Sequence, residues 1–221
     1  MTHLRTIACS VALLLVVQAI AQKRTKEGDV SSTIKGDLVM PVSFRNPLFN
    51  SITETIGQVG ATFQLPIRHG IGLGVGGNMS WFTLKQRALA PRIVSGDVRR
   101  LALYGKVQME RYTSERTFYE LNLRVGMATY DFDCAICTGQ QAPVLYWSLG
   151  TAWYIHATDN LAFGLLVGYD NQAAHFSAGD LGLNEFPGRK QTTEDHVYQN
   201  LLFGLGFSTR LRKSDRDVMT W

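Results

Sequence analysis

The chain has 221 residues, a formal net charge of +4, 45% hydrophobic residues and 18% charged residues. That length suits one domain better than two, and no basic block is dense enough to argue for a nucleic-acid partner. Beyond the N-terminus no apolar run reaches the roughly 18 residues a membrane helix needs. A near-neutral average hydropathy is still compatible with membrane strands, because lipid-facing and lumen-facing residues alternate and cancel.

The first element is an export signal. His3 and Arg5 form a short basic start, an apolar stretch runs from Val11 to Ile20, and Ala19-Ile20-Ala21 offers small residues for cleavage before Gln22. Residues 1–21 are therefore expected to be a signal peptide, too short in its apolar part and too abruptly ended by Gln22-Lys23-Arg24 to anchor the chain. Cys9 leaves with it. Cys134 and Cys137 remain, and an exported chain meets an oxidising compartment where a disulfide between them is the default expectation.

Residues 22–35 carry no period and are expected to be a polar periplasmic lead-in. From Gly36 onward the chain alternates with period two between turn signals, which predicts strands. Residues 36–45 give the poorest strand, because Pro41 cannot donate to a ladder. Asn46-Pro47 reads as a turn, with Leu48 and Phe49 placed to cap a barrel mouth, and residues 56–67 alternate weakly. In the next segment Ile71, Leu73, Val75, Met79 and Trp81 oppose Gly70, Gly72, Gly74, Gly76, Asn78 and Ser80. Leu101, Leu103, Val107 and Met109 oppose Tyr104, Lys106, Gln108 and Glu110. Tyr119, Leu121, Leu123, Val125 and Met127 oppose Phe118, Glu120, Asn122, Arg124 and Gly126. Leu145, Trp147, Leu149, Trp153 and Ile155 form one face of the next strand. Leu161, Phe163, Leu165, Val167 and Tyr169 follow, opposed by Gly164, Gly168 and Asp170. The last segment sets Leu201, Phe203, Leu205, Phe207 and Leu211 against Asn200, Gly204, Gly206, Ser208 and Arg210.

One face is aliphatic and aromatic, while the other mixes glycine with charge, the reverse of a soluble ligand-binding barrel. Connections near residues 68–69, 114–115 and 158–159 are short, and those at 45–55, 85–96, 133–142 and 177–196 are long. Outer-membrane barrels alternate tight periplasmic turns and longer outer loops in this way. Trp81, Tyr112, Tyr119, Tyr130, Phe132, Trp147, Trp153, Tyr169, Phe176 and Phe207 fall mostly toward segment ends, where an interfacial aromatic belt is expected.

On this pattern the chain resembles the small OmpA/OmpX-like outer-membrane barrels over residues 36–211. The resemblance implies an all-β fold: a transmembrane antiparallel up-and-down barrel of about eight strands, both termini periplasmic, in the outer membrane of a Gram-negative-type envelope. It also implies that Phe203, Leu205 and Phe207 are read by the barrel-insertion machinery. That signal usually ends the chain, whereas here residues 212–221 follow, expected to be a periplasmic tail ending in Trp221.

Lys106, Glu110, Glu120, Arg124 and Arg210 share the lumen parity with Gln58, Asn78, Asn122 and Tyr104. They could form an ion path, or a charge network filling an interior only just wide enough for side chains. Metal binding at Cys134 and Cys137 would need two more ligands, since structural zinc takes four and no second pair is nearby. A redox role would need a helix start that is absent. Neither a metal nor any other cofactor is expected. His175 and Ser177 share a parity, with Glu185 beyond them. The arrangement is similar to the His-x-Ser of lipid A deacylases, which implies Ser177 as nucleophile, His175 as base and Glu185 as orienting acid, but a triad is defined by geometry. Arg87, Arg92, Arg99, Arg189 and Lys190 could meet lipopolysaccharide phosphates, which arginine matches well.

The function expected is structural, adhesive or partner-binding, through the outer loops of a barrel plugged by side chains, and not enzymatic. Lipid A deacylation, small-solute conduction and membership of an envelope complex docked through the tail are the alternatives. Outer-membrane lipid, lipopolysaccharide and an envelope protein are the partners expected. The step from barrel to role is analogy.

Overall fold

A computed structural model describes residues 32–211, apart from 69, 86, 91–94, 138, 191, 193–194 and 196. The expected signal peptide, residues 22–31 of the lead-in, Arg92 and the tail 212–221 lie outside the described residues.

The elements in chain order are β1 (Thr33–Ser43), α1 (Pro47–Ile52), β2 (Thr53–Arg68), β3 (Ile71–Leu84), β4 (Gly96–Tyr112), β5 (Thr117–Cys134), the two-residue β6 (Gly139–Gln140), β7 (Val144–His156), β8 (Leu161–Gln172) and β9 (Tyr198–Arg210). Each long strand pairs antiparallel with its neighbours in sequence, and β1 pairs with β9 from Thr33–Arg210 to Ser43–Asn200. The eight long strands thus close into an up-and-down barrel, in which no backbone edge is left open. β6 only extends the wall beside the end of β5, pairing Gly139 with Phe132 and Gln140 with Asp131.

Connections alternate in length around the barrel. β2–β3, β4–β5 and β7–β8 are joined by tight turns, whereas β1–β2, β3–β4, β5–β7 and β8–β9 are joined by longer loops. Both ends of the barrel chain, Thr33 and Arg210, lie at the end that carries the tight turns. In the first turn Gly70 takes a left-handed backbone (φ +78). A side chain there would also run into the carbonyl oxygen of Glu110.

The alternation decides which face is which. Leu38, Leu65, Val75, Leu103, Trp153 and Leu165 point out of the barrel and are half or more exposed. Lys35, Asp37, Arg100, Lys106, Glu120, Arg124 and Asp170 point in and are buried. An apolar belt around the whole circumference far exceeds the few hundred Å² that soluble monomers leave bare. A bilayer is the solvent that such a surface fits, so this is a transmembrane barrel, as the alternation implied. The long strands have 11 to 18 residues, where about 9–11 suffice to cross the hydrocarbon core. Most therefore project beyond it.

Three local readings of the sequence change. β1 begins at Thr33, so Lys35 belongs to the wall and not to a lead-in. Pro41 fits because β1 pairs with β2 only as far as Val39–Gln58, leaving Pro41 paired on one side alone, an edge-like position that tolerates proline. The segment after Asn46 is a helix, α1, with Pro47 in its first turn and the Asn46 side chain accepting from Phe49 N at 2.9 Å. Pro47 suits that place because its fixed φ is already helical and its missing N–H would have no partner there.

Candidate functional site: the barrel interior and its loop end

The interior is built in three polar tiers, topped at the loop end by an apolar one. Nearest the turn end, Glu110 and Glu120 sit directly opposite each other on β4 and β5, a pairing that repels unless a cation intervenes. Lys35, reaching across from β1, donates to both carboxylates. Lys106 adds a second cation at 2.6 Å from Glu120 Oε1. Gln64 and Gln108 donate to Glu110 at 3.2 and 2.7 Å, and Asn122 Nδ2 donates to Glu120 at 2.8 Å. The Lys35 ammonium also lies 5.5 and 5.3 Å from the ring centres of Phe118 and Tyr154, within reach of a cation–π attraction.

The middle tier is the ion pair of Arg124 and Asp37, 3.0 Å apart. The Arg124 guanidinium lies 5.1 Å from the Tyr104 ring centre, and the Tyr104 hydroxyl is 3.0 Å from Thr62 Oγ1. The upper tier centres on Arg100, which is 1% exposed. Its guanidinium donates to Asp170 Oδ2 at 3.0 Å, Gln58 Oε1 at 2.6 Å and Asn78 Oδ1 at 2.5 Å. Asn200 Nδ2 donates to the other Asp170 oxygen at 2.6 Å. Each buried charge is thus matched, as it must be, since an unpaired ion in such surroundings costs several kcal/mol.

Above Arg100 the interior turns apolar. Phe49 of α1 packs edge-on against Phe82, Phe176 and Tyr198, with ring centres 5.2, 5.3 and 4.9 Å away. Ile52, Leu89, Phe132, Tyr130, Leu181 and Phe186 complete a buried cluster to which strand ends and the first, second and fourth loops contribute. Tyr130, Phe132 and Phe176 were expected in the interfacial belt. They follow the inward parity instead, and their rings are buried in this cluster.

Polar bonds tie the loops to one another. The buried Asp195 of the fourth loop accepts from Leu48 N at 3.3 Å, Thr192 N at 2.5 Å and Thr192 Oγ1 at 3.1 Å. Its own carbonyl accepts from Asn46 Nδ2 at 2.8 Å. Arg189 bonds the Ala88 carbonyl at 2.8 Å, Lys85 the Asn50 carbonyl at 2.8 Å, and Gln141 the His175 carbonyl at 2.7 Å. Cys134 and Cys137 are joined by a disulfide at the tip of the β5 wall.

Of the five charged residues expected in the lumen network, Lys106, Glu110, Glu120 and Arg124 are in it. Arg210 stands apart at the turn end, bonded to Tyr112 Oη at 2.5 Å and the Asp159 carbonyl at 3.4 Å. Lys35, Asp37, Arg100 and Asp170 were not foreseen as members. Parity could have placed each of them inside, but it does not say which residue waits across the lumen. At the suggested triad, Ser177 Oγ donates to Asp180 Oδ2 at 2.8 Å within a tight turn, and the same oxygen accepts from Ser177 N at 2.7 Å. The carboxylate that engages Ser177 is therefore Asp180. Glu185 is exposed. Arg87 and Lys190 are exposed at the loop end, and Arg99 pairs with Asp133 at 2.7 Å. Among the described residues no group of three His, Cys, Asp or Glu side chains is placed to hold a metal ion.

No family model matches the chain, and no curated protein matches it. Solved structures do. Neisserial surface protein A, from Neisseria, superposes with a TM-score of 0.50 at 10% identity, covering 84% of this chain and 100% of its own. OprG of Pseudomonas aeruginosa gives 0.47 at 11% identity over 82% and 97%. Ail of Yersinia pestis, crystallised with the heparin analogue sucrose octasulfate, gives 0.43 at 9% over 80% and 97%. What the chain shares with Neisserial surface protein A at this identity is the fold, that of a small outer-membrane barrel.

Proposed function

We propose that this chain is an outer-membrane protein whose barrel is closed to solutes and whose loops form a fixed surface for a partner outside the cell, with both termini periplasmic. The observation that carries the reading is the apolar cluster at the loop end. The loops that build it bury Phe49, Leu89 and Phe186 in a common core instead of standing free as a vestibule. Loops held in that way present one shape, which suits recognition, while the tiers of paired charge below set side chains across the lumen, which supports a closed interior. The orientation follows from the tight turns, which in such barrels face the periplasm.

Two observations weigh against the alternatives. The suggested triad needs the Ser177 hydroxyl to donate to His175, whereas Ser177 Oγ donates to Asp180, whose carboxylate also caps the Ser177 backbone. A channel needs a route past Arg100, which is held on three sides by Asp170, Gln58 and Asn78. Lipopolysaccharide remains a fitting neighbour for Arg87 and Lys190, which are exposed in the second and fourth loops, because cationic side chains suit its phosphates.

The test is in two steps. Outer-membrane fractions run with and without boiling should show a faster-migrating unboiled band. The purified protein should then leave a planar bilayer electrically silent. Steady conductance would overturn the closed lumen, and acyl-chain release from lipid A that disappears in Ser177→Ala would replace the binding role with an enzymatic one.

A further inference from the structure

Gly105 is a strand glycine that the chain's own packing does not explain. A side chain on Gly76, Gly126 or Gly204 would meet a backbone carbonyl oxygen at 2.4, 1.9 or 2.1 Å, so those positions have no room for one. At Gly105 the nearest atom would be the Val125 carbonyl oxygen at 3.9 Å, an ordinary contact. Its backbone is not left-handed either. Yet glycine weakens the interior of a strand, and it often marks a place where a ligand or another backbone comes close.

Gly105 faces outward on β4, directly between Val75 of β3 and Val125 of β5. The missing side chain leaves a groove of about 480 Å³ in the wall, flanked by Phe63, Leu73, Val75, Val107, Leu123 and Val125. That is the size of a small-molecule site, and the side chains that rim it are apolar. It opens within the belt that a bilayer covers. Two occupants can reach it there, an acyl chain or another barrel. A second barrel is convex and would rest on the rim of Phe63, Leu73 and Leu123, whereas an acyl chain is narrow and flexible enough to follow the groove.

Arg111 gives the lipid a direction. It shares the outward parity of β4 with Gly105, Val107 and Met109 and lies six residues nearer the turn end than Gly105. Among the described residues no salt bridge uses it, and a guanidinium matches phosphate well. Six residues of strand span about 20 Å, which at the usual tilt is about 15 Å along the membrane normal. One leaflet of the hydrocarbon core is also about 15 Å deep. A lipid whose phosphate meets Arg111 therefore ends its tail near Gly105.

We infer that the β2–β5 face holds one glycerophospholipid of the turn-end leaflet, with its phosphate at Arg111 and an acyl chain running past Met109 and Val107 into the groove at Gly105. The choice of a phospholipid over lipopolysaccharide rests on the turns facing the periplasm.

The test is native mass spectrometry of the full chain after reconstitution in vesicles of palmitoyl-oleoyl phosphatidylethanolamine and phosphatidylglycerol. The expected mass is a monomer with one phospholipid retained. Gly105→Leu has room to fold, and it should keep the mobility shift while losing the lipid, because leucine fills the groove. Arg111→Gln should lower retention about tenfold, the weight of a charge-assisted hydrogen bond. A bare native protein would overturn the inference, as would unchanged retention in either variant. A native dimer that falls apart in Gly105→Leu would overturn it in favour of a second copy. These vesicles carry phospholipid in both leaflets, so the result does not depend on which way the turns face in the cell. A failure here strikes the lipid site and leaves the orientation standing.

Discussion

Phe207 lies flat over Gly36, the residue directly opposite it where the last strand meets the first. Both have outward parity, yet Gly36 is buried because the ring covers it, and a side chain on Gly36 would fall inside that ring. An aromatic ring covering a strand glycine is a known way of fixing register, and here it marks the seam that closes the barrel. Gly36→Val should evict the ring, which is half exposed and meets the new side chain with its far end, so the cost should be about 1 kcal/mol, the low end for overpacking. Phe207→Ala should spare the clash but uncover the glycine. Both should lower the fraction of heat-modifiable protein in outer-membrane fractions, with Gly36→Val the more severe. Normal yields from both variants would show that closure does not depend on this contact.

Lys35 and Glu120 should dominate the energetics of the interior. Lys35→Met leaves Glu110 and Glu120 facing each other with only Lys106 between them and the surroundings, and breaking a buried pair typically costs about 3–5 kcal/mol. Arg99→Ala removes an ion pair of comparable length, but both its side chains are largely exposed, so the loss should stay below about 1 kcal/mol. Urea unfolding in lipid vesicles would measure both, and equal effects would contradict the assigned burial.

Phe49→Ala should destabilise the protein by about 3–5 kcal/mol, as large-to-small changes of buried aromatics do. It should not open a pore, because Arg100 and its partners still fill the barrel beneath. Conductance in bilayers appearing with this variant alone would identify the apolar cluster as the whole barrier.

Asp195→Ala removes the acceptor that joins the fourth loop to Leu48 N and Thr192. Buried donors left without a partner cost about 1–3 kcal/mol, and the loss should be local. The expected readout is faster trypsin cleavage after Arg45 and Lys85 in intact cells with an unchanged mobility shift of the barrel. Unchanged cleavage would mean the loops are held mainly by the apolar cluster.

The disulfide closes a loop of four residues, and chain entropy credits so short a loop with only about 2 kcal/mol. Reduction or Cys134→Ser should therefore leave the barrel folded and make Cys137 reactive to a thiol label. Failure of the reduced protein to form a barrel would contradict this.

The wall of the barrel was readable from the sequence because a strand that faces lipid on one side and a narrow polar lumen on the other must alternate. Leu161 to Tyr169 and Leu201 to Phe207 put an apolar residue at every outward position, with Leu166 and Leu202 the large apolar exceptions inside, and the structure keeps that outward face. Lys35 was missed because it precedes the first recognisable apolar alternation, in a strand weakened by Pro41. Tyr130, Phe132 and Phe176 were assigned to the membrane interface from their place near strand ends, but their parity points inward. Whether a ring near a strand end meets lipid or a loop depends on what the loops do, and that is set by contacts between residues as distant as Asn46 and Asp195. The partners of Arg100 were hidden for the same reason. Period two gives the face of the wall, and only closure brings β2, β3, β4 and β8 together around one guanidinium.

The loop-end core has a consequence for how this surface can change over time. Loops that hang free can vary in sequence at almost every position. Here Leu48, Phe49, Leu89, Leu183 and Phe186 are committed to holding the cap together, so variation is channelled into the few residues that look outward. Lys190 is one, exposed in the fourth loop. At nearby Gly188 the surroundings are open, with nothing within 4 Å of an added side chain, but the left-handed backbone itself favours glycine. If the loops face outward as proposed, a short peptide inserted beside Gly188 would be displayed at the cell surface on a rigid mount, whereas the same insertion three residues earlier would split the cap.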